Sequence, residues 1–140
     1  MAIQIHPQQG TIVICDFSGL NEPEMTKRRL AIVLSPFIRI RPQLCCVVPL
    51  STTAPNLKKD YHCTLIMDPP LPEPYNSPLQ WVKGDMVYTM ALSRLFLPTP
   101  GKTNGKRDYD VRVLSQDELM RVQKCVLVGM GLSRLTQHLE

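Results

Sequence analysis

RRLAIVLS at residues 28–35 and LCCVVPLS at 44–51 are apolar throughout and keep their charges and hydroxyls for their ends. Neither shows the spacing of an amphipathic helix, and a strand without polar alternation has to be covered on both faces. That double burial is the strongest constraint on the fold. TIVICDF, directly after Gly10, and YHCTLIM, further along, repeat the pattern less uniformly. The span FIRIRPQ between the two apolar runs is short enough for an antiparallel return. Short antiparallel strands covered on both sides predict a small curled sheet or partly open barrel.

The rest of the chain reads as follows. DPPLPEPYNSP holds five prolines within eleven residues, which excludes regular structure and predicts a stiff, exposed loop. LQWVKGDMVYTMA and SRLFLP are two more strand-like pieces, and TPGKTNGKRD reads as a mobile, basic loop. The tetrad from Ser115 to Glu118 has the spacing of a capping box. It predicts a helix over about 116–136, with Leu119, Val122, Val126 and Met130 as its apolar stripe. The fold class expected is mainly β with a C-terminal helix (α+β), in one domain over 1–140, with a barrel over about 10–113.

A formal charge of +4 is compatible with a polyanionic partner without requiring one. MAIQIHPQQG lacks the basic start and apolar core of a secretory signal, and no apolar run is long enough to cross a bilayer. A cytoplasmic protein that does not engage a membrane is expected. The five cysteines lack metal-ligand spacing and read as small buried hydrophobes in a reducing compartment.

No phosphate-cradling glycine loop, paired Cys-x-x-Cys, His-x-x-x-His or nucleophile elbow is present. Neither a metal nor a nucleotide cofactor is expected. What remains for chemistry is Arg, Lys, Ser, Thr and carboxylates. That inventory suits cleavage of RNA, where the substrate's own 2′-OH is the nucleophile. The protein then has to assist proton transfer and stabilise charge on the phosphorane. An arginine fork matches phosphate oxygens and stays charged, and a hydroxyl donates one further bond.

GTIVICDF at 10–17, RLAIVLS at 29–35, VPLST at 48–52 and VKGD at 82–85 resemble, in that order, the successive motifs of the PemK/MazF family of bacterial toxins. The likeness runs from about Gly10 to Leu95, and the capped helix lies in the family's expected place. The resemblance implies an SH3-like small barrel with a C-terminal helix. It also implies a homodimer, metal-independent cleavage of single-stranded RNA, and inhibition by a cognate antitoxin protein. Carried over position by position, Arg29 matches the arginine that acts on the scissile phosphate, and Ser51 the catalytic hydroxyl, with Thr52 as its alternate. Asp85 matches a catalytic carboxylate found in some members. Lys27, Arg28, Lys83 and Glu24 are assigned to RNA binding, as are Lys102, Lys106 and Arg107 in the basic loop. The chain departs from the pattern at Leu30, where proline is usual. Two other functions stay open: a non-catalytic homologue that binds RNA or a protein, and a gyrase poison of the same fold. His62 as acid or base and Trp81 as a base-stacking surface are further options.

Overall fold

The computed structural model describes residues 1–139. Strands β1 (Ile12–Asp16), β2 (Arg28–Val33) and β3 (Leu44–Ser51) lie antiparallel in succession, and their alternate side chains feed two separate cores. Ile12, Ile14, Leu30, Ile32, Val48 and Leu50 face the side that carries the helix. Val13, Cys15, Ala31, Val33, Cys45 and Val47 face the inside of the curl, with Phe17, Leu92 and Leu95. Each fully buried aliphatic side chain stabilises by about 1.5–3 kcal/mol. Two cores on one sheet therefore account for apolar runs without alternation.

β3 is where the sheet branches. One of its edges pairs with β2. Along its other edge, Leu44–Val47 pair with β6 (Tyr88–Ala91), and Leu50 and Ser51 pair with β5 (Leu79–Lys83). The change of partner falls at Val48 and Pro49, where proline has no N–H to give. β4 (His62–Ile66) extends the sheet beyond β5. A 3-10 turn at Leu92–Arg94 carries β6 into β7 (Leu95–Phe96), which pairs back onto β1 through Ile14 and Cys15. Arg94 fastens this return, its Nη1 donating to the carbonyls of Asp16 and Ser18 at 2.8 Å each. The expected class, mainly β with a C-terminal helix, is the one observed. The sheet curls nearly round on itself without closing, so it is a barrel only in a loose sense.

Helix α1 (Gln116–Gly129) begins at the expected capping box. Ser115 Oγ accepts from the Glu118 N–H at 3.2 Å, and the Glu118 carboxylate accepts from the Ser115 N–H at 3.0 Å. The helix ends seven residues before the expected 136, because Gly131 turns left-handed at φ +76°. The Leu132 N–H then bonds the Leu127 carbonyl, and the Gly131 N–H bonds that of Val128, which closes a Schellman motif. A 3-10 segment, Ser133–Leu139, follows. Cys125 completes the buried stripe, whereas Met130, expected there, is 61% exposed. Among the described residues no helix is long and apolar enough to cross a membrane.

Two loop expectations are corrected. The basic stretch is a hairpin, β8 (Gly101–Thr103) and β9 (Lys106–Asp108), turning at Asn104 and Gly105 with φ of +53° and +79°. Asn-Gly is a strong signal for such a tight turn. The proline segment is exposed only in part. Leu71 is buried in the core and Tyr75 packs against it, because Arg112 bonds the carbonyls of Pro69 and Pro70 while pairing with Asp110 at 2.8 Å.

α1 meets the β5–β6 turn backbone to backbone. A Cβ on Gly84 would lie 2.5 Å from the Tyr61 carbonyl and 2.7 Å from the Cys125 carbonyl, and one on Gly129 would lie 2.8 Å from the Gly84 carbonyl. None of these is a side-chain end able to swing aside. Gly84→Ala is expected to lower unfolding free energy by about 1–3 kcal/mol, read from the urea midpoint at unchanged slope.

Candidate active site

β2 and β3 both end at one edge of the curl, and their ends bring the polar termini of the two apolar runs together. The ladder pairs Ala31 with Pro49. Carried two residues further, that register sets Arg29 across from Ser51, on the same face. Trp81 is the partner of Ser51 on the other side. A cavity of about 100 Å³ opens there, lined by Arg28, Arg29, Ser51, Thr52, Tyr75 and Gln80, with Leu30 and Leu50 as its floor.

Three features make this cavity suited to an anion. Arg29 carries a buried Nε with no hydrogen-bond partner, and such a stranded donor costs about 1–3 kcal/mol unless something outside the protein accepts from it. Ser51 is buried, and its Oγ accepts from the Thr53 N–H at 3.1 Å. Its own proton goes only to the Thr53 carbonyl at 3.4 Å, a long bond that rotation of the hydroxyl would release. Tyr75, in the proline segment, is held above its ordinary pKa by burial, an effect that Arg28 opposes, so the phenol stays a donor. Gln80 is buried, with its amide donating to the Ser77 carbonyl at 3.0 Å.

Arg28 stands at the mouth. Its guanidinium pairs with Asp16 at 3.5 Å and lies 4.5 Å over the ring of Phe96. The Ser18 hydrogen bonds, and then Arg28, hold the Asp16 carboxyl below its usual range, so this anchor stays charged. The pair is half-exposed and adds little to stability, but it fixes where Arg28 sits.

Other expected residues lie elsewhere. Asp85 does not line the cavity; it follows Gly84 in the turn under α1, against Gly129. Lys83 ends β5, two residues beyond Trp81, and pairs with His62. His62 has its pKa lowered by burial and by Lys83, and its Nδ1 accepts from the Lys59 N–H at 3.1 Å. Glu24 accepts the Asn21 N–H at 2.8 Å within the β1–β2 loop, and Lys27 is exposed beside Arg28. Lys102, Lys106 and Arg107 are exposed on the β8–β9 hairpin. The cysteines are free thiols, with burial pushing Cys15 up to about 12 and Cys45 up to about 11. Tyr75 and Gln80 were not anticipated. The signal available for Tyr75 was a lone aromatic among five prolines, too large to leave in solvent; for Gln80 there was none.

With the geometry established, comparison with known proteins places the chain. The family described as PemK-like, MazF-like toxin of type II toxin-antitoxin system matches residues 8–128. The protein YifN of Escherichia coli K12 is 28% identical over 153 residues, covering 94% of this chain and 96% of its own. An uncharacterized protein of Haemophilus influenzae is 25% identical over 150 residues, covering 96% and 98%. Two solved structures share the fold. MazF from Deinococcus radiodurans has a TM-score of 0.62 at 20% identity, over 89% of this chain and 96% of that one. A mycobacterial endoribonuclease solved with its cognate antitoxin has a TM-score of 0.60 at 16% identity, over 91% and 97%. The chain belongs to the PemK-like, MazF-like toxins of type II toxin–antitoxin systems.

An arginine kept for a ligand is a liability to the empty fold. Arg29→Met removes the stranded N–H while keeping most of the side-chain length, and the variant is expected to melt at or above the wild-type temperature. A fall of several degrees by calorimetry would mean that Arg29 serves the fold instead.

Proposed function

We propose that this member of the PemK-like, MazF-like toxins is an endoribonuclease that cuts single-stranded RNA at the cavity of Arg29, Ser51 and Tyr75. The observation that carries the reading is that Arg29, whose Nε is buried without a hydrogen-bond partner, lines a cavity of about 100 Å³ together with Arg28, Ser51 and Tyr75. The ribose 2′-OH attacks the adjacent phosphorus, the O5′–P bond breaks, and the products are a 2′,3′-cyclic phosphate and a 5′-OH. Negative charge grows on the non-bridging oxygens as the phosphorane forms. The Arg29 guanidinium meets that charge, the Ser51 hydroxyl turns from the Thr53 carbonyl to donate to the same oxygens, and the Tyr75 phenol supplies a further donor. Arg28 at the mouth draws in the phosphate backbone. No carboxylate lines the cavity among the described residues, so Asp85 is left with an orienting role through its turn rather than direct contact. The 2′-OH proton passes to a phosphate oxygen or to solvent, and the departing O5′ takes up a proton from the same source to leave as the 5′-OH.

The same reading brings a homodimer and an antitoxin that silences the toxin. The mycobacterial neighbour, solved with its cognate antitoxin, supports that pairing. Its place of action is the cytoplasm, where transcripts are single-stranded.

Wild-type protein incubated with a long unstructured RNA in EDTA should give fragments with 5′-OH ends. Arg29→Ala should slow this by about 10²–10³-fold, the usual loss for one donor to a developing oxyanion. Ser51→Ala and Tyr75→Phe should each cost about tenfold or more. Undiminished cleavage by folded Arg29→Ala protein would overturn the assignment.

A further inference from the structure

Arg28 serves a second cavity. On its other side, under the β8–β9 hairpin, lies a space of about 200 Å³, twice the volume of the anion cavity. Its walls include Ile14, Arg28, Phe96, Leu97, Arg107 and Tyr109, with Met1 and Thr99 also at its edge. The two cavities share Arg28 as a lining residue, so whatever fills the second lies next to whatever fills the first. A chain whose phosphate sat at Arg29 would lead its next residue here.

The walls are built and not incidental. Phe96 pairs with Ile14 across the β1–β7 ladder, which fixes the floor. The hairpin stem is pinned over it, because the Thr99 hydroxyl donates to the Asp108 carbonyl and the Asp110 N–H donates to the Pro98 carbonyl at 2.8 Å. Asp108, the one acidic residue of the hairpin strands, is turned to Thr103 at 2.6 Å and not to Arg107. Arg107 makes no ion pair among the described residues. Tyr109 is 43% exposed, a large share for an aromatic ring with aliphatic neighbours on one side. The space thus offers a flat guanidinium backed by Phe96, a half-bare phenol ring, aliphatic flooring and a second guanidinium with unused donors.

Planar apolar surfaces with forked donors at the rim are what a nucleobase needs. Bases stack on aromatic rings and on arginine planes. An arginine fork selects an edge with two adjacent acceptors, as guanine presents with O6 and N7. We propose that this cavity is a nucleobase pocket that takes the residue flanking the scissile phosphate, preferring guanine, with Tyr109 as stacking surface and Arg107 as edge reader. The proposal rests on the endoribonuclease reading for its orientation along the strand, and it makes the hairpin a specificity element in place of a general basic patch.

The probe is a fluorescent single-stranded oligoribonucleotide, fully 2′-O-methylated so that it resists cleavage, with one guanine moved stepwise through an adenine background. Anisotropy should show wild-type protein binding about tenfold tighter when guanine occupies one particular position. Tyr109→Ala and Arg107→Ala should each remove that preference. Lys102→Ala, on the hairpin but outside the cavity, should weaken all oligonucleotides alike and keep the preference. With cleavable RNA, both pocket variants should raise KM about tenfold while kcat stays within about twofold, and 5′-end sequencing of the fragments should show the preference flattened. A wild type with no positional preference, or pocket variants that retain it, would overturn the proposal. Cleavage by wild type with unaltered variants would sink the pocket and leave the ribonuclease standing. No cleavage at all, with a preference that depends on Tyr109, would do the reverse.

Discussion

Burial of β1, β2 and β3 on both faces is the constraint on which the rest of this molecule depends. A sheet with one wet face can stay flat and end where it likes. A sheet whose two faces must both be dry needs two covers, and a chain of 140 residues has few elements to supply them. Here α1, β4 and the proline segment cover one side. The sheet covers the other itself, by bending until β7 reaches β1. Curvature, the break between β6 and β7, and the Arg94 clamp all answer that one need.

The site follows from the same constraint. Strands dry on both faces expose polar groups only where they stop, so charges and hydroxyls gather at their ends. Antiparallel neighbours stop together, and that sets Arg29 beside Ser51. Pro49 then lets β3 exchange one partner for another just before Ser51, so the strand end is supported by β5 instead of left loose. The proline segment, drawn down by Leu71 and Arg112, roofs the result with Tyr75. An arginine whose Nε is buried without a partner is tolerable in such a place because the surrounding core is large enough to carry the cost.

Much of this was legible in the sequence. The uniform apolar runs gave two-sided burial, the family resemblance gave Arg29 with Ser51, and the capping box gave the start of α1 to the residue. The end of α1 was missed because the apolar stripe continues to Met130, while a left-handed Gly131 decides the matter. The hairpin was missed because its composition is that of a loop and its turn signal is only Asn104-Gly105. Asp85 was placed at the site by analogy, yet the approach of Gly84 to Cys125 and of Gly129 to Gly84 draws that turn under the helix. Close contact between backbones leaves no mark in hydrophobic pattern beyond the glycines themselves. Leu30 in place of proline is explained simply: it is 3% exposed and belongs to the core.

The pairing of β1 with β7 also bears on when the molecule comes into being. Ile14 finds Phe96, and Thr11 bridges to Val113, so the first strand acquires its outer neighbour only after most of the chain exists. Pairings this distant in sequence form late and slowly. At about 5–20 residues per second of synthesis, the amino-terminal strand stays one-sided for seconds. The roof over Arg29 waits longer still, since Arg112 is the residue that hangs it. A nascent chain on the ribosome therefore lacks the finished cavity until Arg112 has been made and has folded back.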